Sequence, residues 1–108
     1  PTLNHAQHLL VYEVNLPVGL GHNFHVHPQQ EEFIYVLEGE VEQWLDKTKT
    51  FLRQGDSILI PANKVHASFN AAPQPTRLLV AFPTLASGKE DVPTIEVGTQ
   101  APWNTLRQ

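Results

Sequence analysis

Apolar positions along this chain fall in short runs of β-branched, aromatic and aliphatic residues, interrupted every few positions by Gly, Pro, Asn or Asp. No stretch repeats apolar side chains at the three-and-four spacing of an amphipathic helix, so the pattern predicts an all-β meander, sandwich or barrel. The runs place strands at Leu9 to Val14, Asn23 to His27, Phe33 to Leu37, Val41 to Leu45, Thr48 to Phe51, Ser57 to Ile60, Ala67 to Asn70 and Arg77 to Phe82. Pro17 to Gly21, Glu38-Gly39-Glu40, Asp46-Lys47, Gln54-Gly55-Asp56, Pro61 to Lys64 and Ala71 to Thr76 carry turn chemistry between them. Connections this short join antiparallel neighbours.

The run Phe33 to Leu37 is apolar on both alternating faces. Its outer face therefore needs a cover: a second sheet, a tail or another subunit, and a homodimer is the expectation. From Pro83 onward the alternation dissolves into Pro83, Pro93 and Pro102 among small polar residues. That composition predicts an extended tail, about 83–108, wrapping either the barrel formed by about 8–82 or a partner, with Trp103 as an anchor.

A length of 108 residues predicts one domain with one core, and 41% hydrophobic against 17% charged residues suits a packed globular chain. The net charge of -4 and the scattered Lys and Arg argue against a nucleic-acid partner, which needs a concentrated basic face. No run approaches the ~18 apolar residues of a membrane span, so the cytoplasm is the expected address. With Pro1 first and no Met, the chain is expected to lack its initiator, which leaves that address open to an upstream signal. The absence of Cys removes disulfides, zinc-thiolate sites and thiol nucleophiles.

The candidate chemistry starts at His25 and His27, two positions apart in a strand and therefore on one face. Pro28 ends that strand, because it lacks a donor and its fixed φ favours a bend. Glu32 opens the next run with the parity of Ile34 and Val36, so its carboxylate can face the two imidazoles. His66, behind the turn Pro61-Ala62-Asn63-Lys64, is the remaining His of the strand region after Glu32 and completes a fourfold set. Three imidazoles and a carboxylate favour one divalent transition metal, Mn, Fe, Co, Ni, Cu or Zn, over Mg and Ca; an octahedral shell would keep two positions open. Asn23 and Ser68 share the ligand face by parity and are candidate pocket residues. His22 has the opposite parity and is assigned at most a role behind the ligands or at the entrance, His5 and His8 read as solvated, and Glu31 points away from Glu32.

The segment GLGHNFHVHPQQEEFIYVLEG resembles the first cupin motif through Gly19, His25, His27, Glu32 and Gly39. GDSILIPANKVHASFN resembles the second through Gly55, Pro61, His66 and Asn70, with Asn63 where the family usually has Gly. Asn tolerates the left-handed backbone better than other non-Gly residues, so the turn is expected to survive. The resemblance spans about half the chain and implies a small cupin β-barrel, a jelly roll of the RmlC type. It implies metal binding by His25, His27, Glu32 and His66, and structural roles for Gly39, Gly55 and Pro61. It also implies a small-molecule ligand.

The resulting expectation is a metal-dependent enzyme of oxygenase, isomerase, decarboxylase or lyase type, acting on a small molecule that coordinates the metal. The alternative is a non-catalytic binder or sensor, because no Lys, Asp or second Glu falls beside the ligands by spacing and the catalytic groups stay unassigned.

Overall fold

The computed structural model describes residues 8–85 and 92–107; His5 lies outside them. The strands are β1 (Leu9–Leu16), β2 (Gly21–Val26), β3 (Glu32–Glu38), β4 (Glu40–Leu45), β5 (Thr48–Arg53), β6 (Ser57–Ile60), β7 (His66–Asn70), β8 (Thr76–Pro83) and the short β9 (Ile95–Glu96). They form two antiparallel sheets facing each other, one in the order β1-β8-β3-β6 and the other β5-β4-β7-β2-β9. This is a jelly roll. Each predicted strand run has its counterpart here, with small shifts at the ends. Among the described residues there is no helix long and apolar enough to cross a membrane.

Strict alternation builds the first sheet. Tyr12, Val80, Ile34 and Ile58 stand in register across its four strands, and the even-numbered positions face the barrel interior. Leu10, Leu16, Ile34, Val36, Val41, Leu52, Ile60, Leu78, Val80 and Phe82 form the interior cluster. The odd-numbered positions of the same strands face outward, where Val11, Ala81, Phe33 and Leu59 line up in one row.

The second sheet is apolar on its outer face as well, and the C-terminal segment covers it. Phe24, Val26, Trp44, Ala67, Phe69 and Val97 pack into a second cluster against Trp103 and Leu106. Trp103 stacks on Phe24 with ring centres 5.7 Å apart. Arg107 closes the wrap: its Nε donates to Glu42 Oε2 at 2.7 Å, and its guanidinium carbon lies 3.5 Å from the Phe69 ring centre. The described part of the tail thus packs on its own barrel. It also adds what the alternation did not foretell, the two-residue strand β9 on β2 and a 3₁₀ turn at Trp103–Thr105.

Asn63 adopts φ 64°, so the turn before β7 forms without Gly. The turn is tied to the site, because Asn63 N donates to His27 O at 2.9 Å. Gly39, at φ 96°, admits no side chain: a Cβ there would collide with Thr76 Oγ1.

Candidate metal centre

Three strand ends converge to make the centre. His25 lies in β2, His27 one residue beyond its end, Glu32 is the first residue of β3 and His66 the first of β7. Cross-strand pairing puts His25 directly opposite His66, with ring centres 4.1 Å apart. One ligand atom from each of the four residues lies within 4.8 Å of every other. None of the four is more than 7% exposed.

Backbone carbonyls decide which ring nitrogens face inward. A carbonyl only accepts, so His25 Nδ1 carries a proton and donates it to Asn23 O at 2.6 Å. His66 Nδ1 likewise donates to Lys64 O at 3.0 Å. His27 Nδ1 faces Pro93 O at 3.3 Å and Thr94 Oγ1 at 3.2 Å. The Thr94 hydroxyl already donates to Val92 O at 2.9 Å, so it too receives from His27. With Nδ1 committed outward on all three rings, each Nε2 is left for the interior, where it offers a lone pair to a metal or, without one, can carry a proton toward Glu32.

The Glu32 carboxylate occupies the same space. Its Oε1 is 2.8 Å from His66 Nε2 and 3.3 Å from His27 Nε2. Four lone-pair donors around one buried point repel each other unless a positive charge, a proton or a metal ion, sits among them. Burial pushes the Glu32 carboxyl upward, but hydrogen bonds from His27 and His66, with their charge, outweigh it and hold it down at about 2. Burial, then the nearby His66 and His22, lower His25 to about 3 against the opposing pull of the Asn23 carbonyl. Near neutral pH His25 is an uncharged imidazole and Glu32 a carboxylate, the protonation states that metal binding would require.

A cavity of about 330 Å³ opens beside the four residues, and Ser68 and His22 line it. Asn23 does not. The expectation for Asn23 assumed unbroken alternation, whereas β2 shifts register between His22 and His25: His22 pairs with Ser68 and His25 with His66. Between these pairs two residues of β2, Asn23 and Phe24, oppose the single Ala67 of β7, a β-bulge that turns both His22 and His25 toward the cavity. Asn23 instead accepts from Phe24 N at 2.8 Å through Oδ1 and packs against Gly98. His22 stacks on His25 at 3.4 Å with the rings 6° from parallel, and its Nε2 meets Glu96 Oε2 at 3.0 Å. Glu31 and His8 are exposed.

Two further contributors lie outside the motifs. Gln43, fully buried in β4, accepts the Ser68 hydroxyl proton at 2.6 Å. Its inward parity with Val41 was readable, but a polar side chain in the core draws no notice until its partner is seen. Thr94 comes from the tail, which carries no strand pattern of its own.

The Cupin domain family matches residues 12–82. This chain belongs to the cupin family. Polyketide synthase CurC of Streptomyces cyaneus is 36% identical over 62 residues, covering 57% of this cupin and 40% of that protein. The chain spans about half the length of the curated relatives it matches. Among solved structures, TT1209 from Thermus thermophilus is 27% identical with a TM-score of 0.71, covering 76% of this chain and 78% of that one. The DMSP lyase DddQ from Ruegeria pomeroyi DSS-3 is 26% identical with a TM-score of 0.72, over 89% of this chain and 46% of that one. A buried cluster of three histidines and a glutamate inside such a barrel is compatible with metal binding.

Proposed function

We propose that His25, His27, Glu32 and His66 hold one divalent transition metal, Mn, Fe, Co, Ni, Cu or Zn, and that this cupin is a metal-dependent enzyme acting on a small molecule that coordinates it. The observation that carries the reading is that all three rings bond outward through Nδ1, which leaves Nε2 free, and that Nε2 of His66 and of His27 lies 2.8 and 3.3 Å from Glu32 Oε1. Three neutral nitrogens and one oxygen suit these metals better than the all-oxygen shells of Mg and Ca. Such a metal polarises a carbonyl or enolate, or activates water or dioxygen. The chain's own part is to fix the ligand geometry through the carbonyls of Asn23, Lys64 and Pro93 and to supply a largely apolar cavity beside it. Two relatives carry enzyme names, a polyketide synthase and a DMSP lyase, which supports catalysis on small organic molecules.

One observation favours the second reading, a non-catalytic binder or sensor. Among the described residues no Lys, Asp or second Glu lines the cavity, so proton transfer falls to Tyr12, to His22 or to the ligand itself. Turnover separates the two readings: ligand-induced melting shifts without product favour the binder.

A homodimer belongs to the same proposal. The outward row Val11, Ala81, Phe33 and Leu59 supports it, with Phe33 38% and Leu59 57% exposed in the single chain.

Elemental analysis tests the metal directly. Protein purified without chelating resin carries close to one transition metal per chain, and replacing His27 and His66 together with Ala removes it; metal retained by the double variant overturns the proposal.

A further inference from the structure

The cavity wall has an uneven polarity that goes further than the metal. Most of its apolar part comes from the first sheet, through Tyr12, Val14, Ile34, Leu78, Val80 and Phe82. No Lys or Arg among the described residues lines it. The acidic groups nearby are Glu32 inside and Glu96, held against His22 at 3.0 Å. A second carboxylate or a phosphate on a ligand would therefore meet negative charge and hydrocarbon, with no cation among the described residues to offset its loss of water.

The neutral polar groups add to this bias. Ser68 spends its hydroxyl hydrogen on Gln43 Oε1 at 2.6 Å, and Thr94 spends its own on Val92 O at 2.9 Å. His22 directs Nε2 at the Glu96 carboxylate, which only accepts, so its ring hydrogen is committed there. Ser68 and Thr94 thus face a ligand with lone pairs, and His22 has no Nε2 hydrogen left for it; among the described residues Tyr12 alone of the lining hydroxyls has no hydrogen bond that takes up its hydrogen. Acceptors welcome O–H and N–H donors and repel anionic oxygens.

The geometry points to a substrate class: we propose that this site takes a compact, predominantly apolar molecule with a single oxygen head directed at the metal, such as an aromatic or branched-chain keto acid, enol or phenol, and discriminates against dicarboxylates and phosphorylated compounds. The volume of about 330 Å³ equals ~11 water molecules at ~30 Å³ each, so the ligand has on the order of a dozen non-hydrogen atoms. This class rests on the metal reading for the head of the ligand, while the apolar tail is recognised by the wall alone.

Matched probes test head and tail separately. Zn2+ alone is titrated first, which examines the metal reading without any organic ligand. Zinc-loaded protein is then titrated calorimetrically with phenylpyruvate and with 2-oxoglutarate, which share the keto-acid head and differ in the tail. The expected result is at least tenfold tighter binding of phenylpyruvate; equal or tighter binding of 2-oxoglutarate overturns the proposal. The metal-free protein is compared in parallel with 3-phenylpropionate and glutarate by nuclear magnetic resonance shifts of cavity residues. If Zn2+ does not bind, the metal reading falls, and the preference in this arm still decides the tail. Val14→Lys, at a half-buried cavity position, is expected to bring 2-oxoglutarate to within threefold of phenylpyruvate. An unchanged ratio in that variant overturns the assignment of selectivity to the wall.

Discussion

His66 Nε2 stands 2.8 Å from Glu32 Oε1, joining the first residue of β7 to the first residue of β3 across the barrel interior. The two residues belong to different sheets, so this contact ties the two layers together. Replacing His66 by Ala leaves a buried carboxylate short of its nearest partner. Losing one member of a buried pair typically costs ~3–5 kcal/mol; we expect the lower end, because His27 stays 3.3 Å from the same oxygen. Denaturant unfolding of metal-free His66→Ala and of His66→Ala with Glu32→Gln checks this. The double variant should recover part of the loss, since the uncompensated charge is gone.

Acid should weaken the metal-free fold earlier than its carboxylates alone predict. His25 is lowered from 6.5 to about 3, so below pH 6.5 the unfolded chain takes up a proton that the folded chain refuses until about pH 3. Stability from this residue is complete above pH 6.5 and falls on acidification by up to about 1.4 kcal/mol per pH unit. Glu32, lowered from 4.5 to about 2, adds a loss in the same direction between those values. Melting temperatures of the metal-free protein from about pH 7.5 to about pH 4 should therefore decline from about pH 6.5, and His25→Gln should flatten the upper part of that decline.

Association is expected to depend on the outer face of the first sheet. Phe33 stands between Ala81 and Leu59 in the outward row, so Phe33→Glu sets a charge in its middle without touching the interior positions of β3. Sedimentation analysis should show the parent chain as a dimer and this variant as a monomer with the same metal content. A monomeric parent at tens of micromolar would dismiss the dimer.

Docking of the C-terminal segment has two separable parts. Trp103 contributes apolar stacking on Phe24, and its truncation to Ala should cost about 2 kcal/mol, below the ~3–5 kcal/mol of a fully buried Trp because Trp103 is half-buried. Arg107 contributes its forked contact with Glu42, at 2.7 and 3.3 Å. That ion pair is partly exposed, so Arg107→Ala should cost only ~0.5–1 kcal/mol. Chemical denaturation measures both, and hydrogen exchange at β9 should rise more in the Trp103 variant.

Much of the barrel was legible because its strands obey a period of two. Tyr12, Ile34 and Val80 announce the inner face of the first sheet by alternation, and the turn residues Gly39, Gly55 and Asn63 mark where the chain reverses. The spacing of His25, His27, Glu32 and His66 likewise singled out the four residues that the fold gathers. Asn23 was misplaced for a local reason: one extra residue in β2 interrupts the period, and a bulge leaves no signature in a segment whose neighbours are all of mixed polarity.

What the sequence by itself determined is the set of chemically competent residues and the two-sheet alternation, since both follow from side-chain type and from rules that act over a few positions. Tertiary structure alone decided which nitrogen each imidazole turns inward, that His22 rather than Asn23 reaches the cavity, and that Thr94 and Gln43 support it. These outcomes depend on carbonyls and hydroxyls brought together from distant parts of the chain, such as Pro93 beside His27 and Ser68 beside Gln43. A hydrogen bond across 66 positions is fixed by the closure of the barrel, which no local pattern encodes.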